Sequence, residues 1–137
     1  MNSENNKRKP IKAIATTIDC PDADALADFY VELLGWTKTF SGNGFAVLST
    51  PGHSSLLIFQ SVEHYIKPVW PWEKDKIAQM MHFDFFVKDL DEAVEHAVKC
   101  GAIVSETQFF ESSTTLFDPA GHPFCLSTVW EEGLFVK

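Results

Sequence analysis

Apolar positions along the chain follow two periods, and the order in which the periods alternate repeats. Residues 11–19 (IKAIATTID) place Ile14 and Ile18 on one face of a strand and the small residues Ala13, Ala15 and Thr17 on the other. Asp22 then opens a segment in which Leu26, Phe29, Tyr30, Leu33 and Leu34 recur at steps of three and four. Gly35 closes it, so an amphipathic helix of about three turns is predicted. Short strand-like runs follow near 36–40, 45–49 and 56–61, separated by the turn signals SGNG and TPGHS. The second half repeats this plan. MMHFDFFV at 80–87 reads as a strand, Asp89 starts a helix with Leu90, Ala93, Val94, Ala97 and Val98 on one stripe, and Gly101 ends it. Strand-like runs at 102–106, 109–117 and 123–129 complete the second copy.

The repeat length is about 65 to 70 residues, longer than a solenoid unit and shorter than an ordinary domain. The expected fold is α+β: two tandem βαβββ modules forming a curled mixed sheet around a cavity, with the helices on the outer face. Module one spans 11–61 and module two 80–130, within a single domain covering 11–137. The Pro-interrupted, aromatic stretch at 62–79, which includes YIKPVWPWEKDK, reads as a linker or lid. Small side chains at 13, 15 and 17 fit an inner face that leaves room for a guest.

Composition narrows the function. The 137 residues are 45% hydrophobic, as in a globular domain. The polar start MNSENNKRKP reads as a disordered tail at 1–10 without signal peptide or membrane anchor, so a cytoplasmic protein is expected. Three cysteines without paired spacing speak against a disulfide framework or a zinc knuckle. A net charge of -8 disfavours nucleic acid and anionic membrane surfaces as partners. Arg8 is the single arginine, which leaves residues 11–137 without a guanidinium fork for phosphate.

The paired strand-helix starts, FYVELLGW at 29–36, HFDFFVKDLDEAVEHAVKCGA at 82–102 and DPAGHPF at 118–124 resemble, in that order and spacing, the vicinal oxygen chelate superfamily. This group contains glyoxalases, bleomycin-resistance proteins and dioxygenases. The resemblance implies a metal held by four inward side chains, commonly His or Gln, Glu, His and Glu, on which a substrate with adjacent oxygens chelates. Carried over position by position, the ligands fall at Ala15, at Phe59 or Gln60, at His82 and at Cys125. Of these, His82 alone matches the pattern. Ala15 has no donor, the strand register decides whether Phe59 or Gln60 faces inward, and Cys125 reads either as a thiolate ligand or as a small buried hydrophobe. No metal ligand set and no cofactor are therefore predicted, although a divalent metal stays possible.

His82 and Asp84, two apart on a strand, share a face with Phe86, while Phe83 and Phe85 point to the helices. The His82/Asp84 pair reads as a general acid/base couple, or as two groups satisfied at an open cavity mouth. His82 and Asp84 with His122 also match an iron facial triad, but His122, like Asp118 and Gly121, suits turn chemistry. Trp70 and Trp72 in the linker line the cavity or pack on a second subunit. The ligand-binding set is thus Ala15, Gln60, Trp70, Trp72, His82, Asp84, Phe86 and Cys125. The expected function is binding of a small organic molecule by a homodimer, as in the bleomycin-resistance branch. The alternative is a glyoxalase-like lyase, isomerase or dioxygenase using an atypical metal site or His82/Asp84 acid-base chemistry.

Overall fold

The computed structural model describes residues 10–53 and 55–130. Apart from Pro10, the tail expected at 1–10 lies outside the described residues. The first half contains β1 (Ala15–Cys20), α1 (Ala23–Leu34), β2 (Thr37–Gly42), β3 (Phe45–Ser49) and β4 (Leu56–Ser61). The second contains β5 (Phe83–Phe86), α2 (Leu90–Cys100), β6 (Ile103–Val104), β7 (Ser113–Phe117) and β8 (Pro123–Ser127). Both helices begin and end where their side chains dictate. The Asp22 and Asp89 carboxylates accept the N–H groups of Ala25 and Glu92 at 3.1 and 3.0 Å, satisfying donors that the first turn leaves open. Gly35 and Gly101 then adopt left-handed conformations that stop each helix.

Hydrogen bonds assemble the curled mixed sheet as two four-stranded halves, ordered β1-β4-β3-β2 and β5-β8-β7-β6. The helix crossover makes β1 parallel to β4 and β5 parallel to β8, and the remaining pairs are antiparallel. Three strands are shorter than the hydrophobic pattern suggests. The run at 80–87 contracts to Phe83–Phe86, because the ladder opens at Phe83 with Phe124, and Pro123 has no N–H with which to extend it. The run at 102–106 contracts to Ile103–Val104, and that at 109–117 to Ser113–Phe117.

One core joins the two halves. Tyr30 of α1 is 1% exposed, stacks on Phe59 at 5.4 Å and meets Phe83 edge-on at 6.2 Å. Phe29 and Phe85 lie against Phe124, so one helix of the first half packs on strands of the second. The Tyr30 hydroxyl donates to Asp118 Oδ2 at 2.7 Å. Asp118 is buried, and its carboxylate also receives the N–H groups of Ala120 and His122 and the Nδ1 of His122 at 2.8 Å. A buried carboxylate is tolerable only with such a full set of donors. His122 in turn reaches the Asp19 carbonyl of β1 through Nε2 at 2.8 Å. The DPAGHPF turn is therefore a clasp across the halves. Gly121 lies at φ 93, and a Cβ there would come within 2.8 Å of Lys67 Cδ, so glycine is required on both counts.

Candidate functional site

The face of the second sheet turned away from the helices carries the chemistry. Phe83 and Phe85 are turned into the core, which sends Asp84 to the opposite face, and Phe124 and Leu126 do the same for Cys125. Register pairs Asp84 with Cys125 and Cys125 with Thr115, so the three stand side by side across β5, β8 and β7. His82, just before β5, brings Nε2 to 3.4 Å from Asp84 Oδ1. A donor atom from each of His82, Asp84 and Cys125 lies within 4.8 Å of the other two. The Thr115 hydroxyl is 3.4 Å from the Cys125 sulfur and orients it.

These groups form one wall of a cavity of about 290 Å³. The lining also includes three aromatic rings, Trp70, Phe109 and Phe110, together with Ser113 and Pro123. Trp70 is held edge-on to Phe109 at 5.6 Å and to Phe117 at 6.3 Å. Its loop is closed by the Val69 N–H donating to the Ile77 carbonyl at 2.7 Å. Phe109 and Phe110 leave the strand expected at 109–117 because of Gln108. The Gln108 amide accepts the Thr115 N–H at 2.8 Å and donates to the Thr115 carbonyl at 2.9 Å, and it also donates to the Ser105 carbonyl. One side chain thus takes the Thr115 N–H and shares the Thr115 carbonyl with the Ser105 N–H, where a neighbouring strand residue would otherwise pair. The two phenylalanines that follow are freed to wall the cavity.

Of the residues expected to bind a ligand, Trp70, His82, Asp84 and Cys125 come together here. Phe86 does not line the cavity and instead tilts against Trp130 at 5.3 Å. Trp72 is exposed and outside the lining. Ala15 and Gln60 lie on the first sheet and do not line it either. The register there is now defined: Phe59 is fully buried on Tyr30 on the helix side, which turns Gln60 to the inner face, with Ala15 and Thr17. His122, the third member of the facial-triad reading, serves the turn clasp. Phe109, Phe110, Ser113 and Thr115 were not legible as site residues, since a run read as one strand hides the loop within it.

A nitrogen, a carboxylate oxygen and a sulfur at this spacing suit a borderline ion such as zinc, bound by three protein ligands with a position left open. Among the described residues, no second group of three such side chains meets this spacing. The other two cysteines are not activated. Burial pushes the Cys20 thiol up to about 11 and, with the Glu32 charge, also raises that of Cys100. Burial raises Tyr65 to about 12, with the Asp118 charge adding to it.

A family model described as a glyoxalase-like domain matches residues 15–127. Among solved structures, the chain is similar to a possible glyoxalase from Bacillus cereus, with 16% identity, a TM-score of 0.61, and coverage of 85% of this chain and 98% of that one. It is similar to a lactoylglutathione lyase from Agrobacterium tumefaciens, with 19% identity, a TM-score of 0.57, and coverage of 89% and 98%. A mutant fosfomycin resistance protein, FosX, from Listeria monocytogenes, complexed with Mn(II) and a dihydroxypropylphosphonic acid, gives 13% identity, a TM-score of 0.63, and coverage of 86% and 90%. Identities this low establish the fold alone. No curated protein matches the chain.

Proposed function

The chain belongs to the glyoxalase-like family of the vicinal oxygen chelate superfamily, and on that premise we propose that it binds a small organic molecule in the cavity of the second sheet. The observation that carries this reading is an apolar cavity with aromatic walls and a few convergent polar groups, at the small end of the range for ligand pockets. It functions as in the bleomycin-resistance branch, by sequestration. Ligand-observed NMR with a fragment set tests this directly. Saturable binding that Trp70→Leu abolishes supports the pocket, and binding that the substitution leaves unchanged overturns it.

A second reading is favoured by one observation, the convergence of His82, Asp84 and Cys125 donors within 4.8 Å. These three would hold a divalent metal, which would supply Lewis-acid polarisation of a substrate oxygen to a glyoxalase-like lyase, isomerase or dioxygenase. The chain's own residues would position that metal: Asp84 beside His82, and Thr115 on the Cys125 sulfur. Without metal, the His82/Asp84 pair is left as an acid-base couple. Metal analysis of protein purified without chelators separates the readings. Stoichiometric metal that is lost in His82→Ala overturns sequestration without metal.

The proposal includes a single domain over 11–137, with modules at 11–61 and 80–130 and a linker at 62–79, acting as a cytoplasmic homodimer. Exposed Ile14, Met80, Met81 and Trp72 support a partner surface, and three free thiols support a reducing compartment. No helix among the described residues is long and apolar enough to cross a membrane.

A further inference from the structure

We propose that the guest of this cavity is an organic cation, a quaternary or protonated amine on a small apolar frame. The inference rests on the sequestration reading of the cavity and adds the chemical class of its ligand. Among the described residues, Asp84 is the one carboxylate in the lining, and neither lysine nor arginine joins it. An anionic guest would face that carboxylate without a compensating cation, at a cost that grows as water leaves the cavity. A cation would gain from it. Trp70, Phe109 and Phe110 share the lining with Asp84, the two phenylalanines being 63% and 73% exposed. Aromatic rings that line a cavity offer a cationic guest the negative charge of their π-faces.

The rings are also pre-positioned. Trp70 is edge-on to Phe109 at 79°, so the two planes form a corner rather than a flat stack. The Gln108 amide fixes the loop that delivers Phe109 and Phe110. A corner of rings sharing a cavity with a carboxylate suits an ammonium group, the rings taking the methyl or methylene shell and the carboxylate the charge. The net charge of -8 adds a field that draws cations and repels anions before contact.

The test compares benzyltrimethylammonium with its neutral carbon isostere neopentylbenzene and with phenylphosphonate, by ligand-observed NMR on the full chain. Chelator-washed protein is used at mildly alkaline pH, where ordinary imidazoles are neutral. The cation is expected to bind about tenfold more tightly than either comparison compound. Asp84→Asn should abolish that preference, bringing the cation's affinity to within about twofold of the neutral compound's on the same variant. Equal or tighter binding of the neutral or anionic compound, or a cation preference that survives Asp84→Asn, overturns the ligand class. In those cases, binding that Trp70→Leu abolishes leaves the pocket itself standing. No saturable binding of the cation also overturns the ligand class, and the fragment set then decides the pocket separately.

Discussion

The two halves of the chain share a backbone plan and differ in what they display on it. The interval that separates the helix caps Asp22 and Asp89 also separates Ala15 from His82, Thr17 from Asp84 and Ile58 from Cys125. The pairing agrees, since Thr17 stands beside Ile58 as Asp84 stands beside Cys125. At equivalent places the first sheet thus offers a methyl, a hydroxyl and a butyl group, and the second an imidazole, a carboxylate and a thiol. Duplication preserved the core positions, where Phe59 and Leu57 answer Leu126 and Phe124, and left the face away from the helices free to diverge. The chemistry of this molecule is therefore one-sided.

The sharpest way to break that comparison is to remove the clasp, which the first half lacks. Asp118→Ala would strand the buried Tyr30 hydroxyl and the Ala120 and His122 donors, and a loss of about 3–5 kcal/mol is expected by chemical denaturation. Lys12→Ala, at an exposed position before β1 in the first half, should stay within about 0.5 kcal/mol. Next comes an exchange of equivalents. Cys125→Ile gives the second sheet the first sheet's residue, and zinc affinity measured by competition with a chromophoric chelator should fall by at least about 100-fold. Ile58→Cys should create no zinc site, because Ala15 and Thr17 supply neither imidazole nor carboxylate. Gln108→Leu should cost about 1 kcal/mol in thermal unfolding and weaken ligand binding, since the loop carrying Phe109 and Phe110 loses its anchor.

The smallest effect is a pH dependence of the clasp. Burial opposes charge on His122, but the Asp118 hydrogen bond and charge, with the Asp19 carbonyl on the second ring nitrogen, outweigh it and raise its pKa. A raised folded-state value means that the stabilisation is complete below the ordinary histidine range of about 6.5 and is lost as pH rises through the folded value. The melting temperature should accordingly decline on the alkaline side. A His122→Gln variant that keeps the same slope would refute this assignment.

Local chemistry made most of the fold legible. Asp22, Gly35, Asp89 and Gly101 mark the helix ends in sequence because caps are short-range, and the strict alternation of Phe83 and Phe85 with Asp84 sorted the faces of β5 correctly. What stayed hidden depended on distant partners. The choice between Phe59 and Gln60 is made by Tyr30 stacking from another element, and the meaning of Asp118 by a hydroxyl that arrives from α1. Half of the site was legible as well. His82 and Asp84 could be placed on a common face, Cys125 was reached through the family resemblance alone, and Trp70 stood out as a large ring in a loop. Phe109, Phe110 and Thr115 could not, because Gln108 competes with backbone pairing in a way that no periodicity records.

That single amide separates the identity of the cavity wall from the integrity of the sheet. Because β7 is held at Thr115 by Gln108 rather than by the rings beyond it, Phe109 and Phe110 can be exchanged for other side chains without disturbing a strand. Selectivity in this scaffold can drift, or be engineered, at two adjacent codons while the fold is left alone.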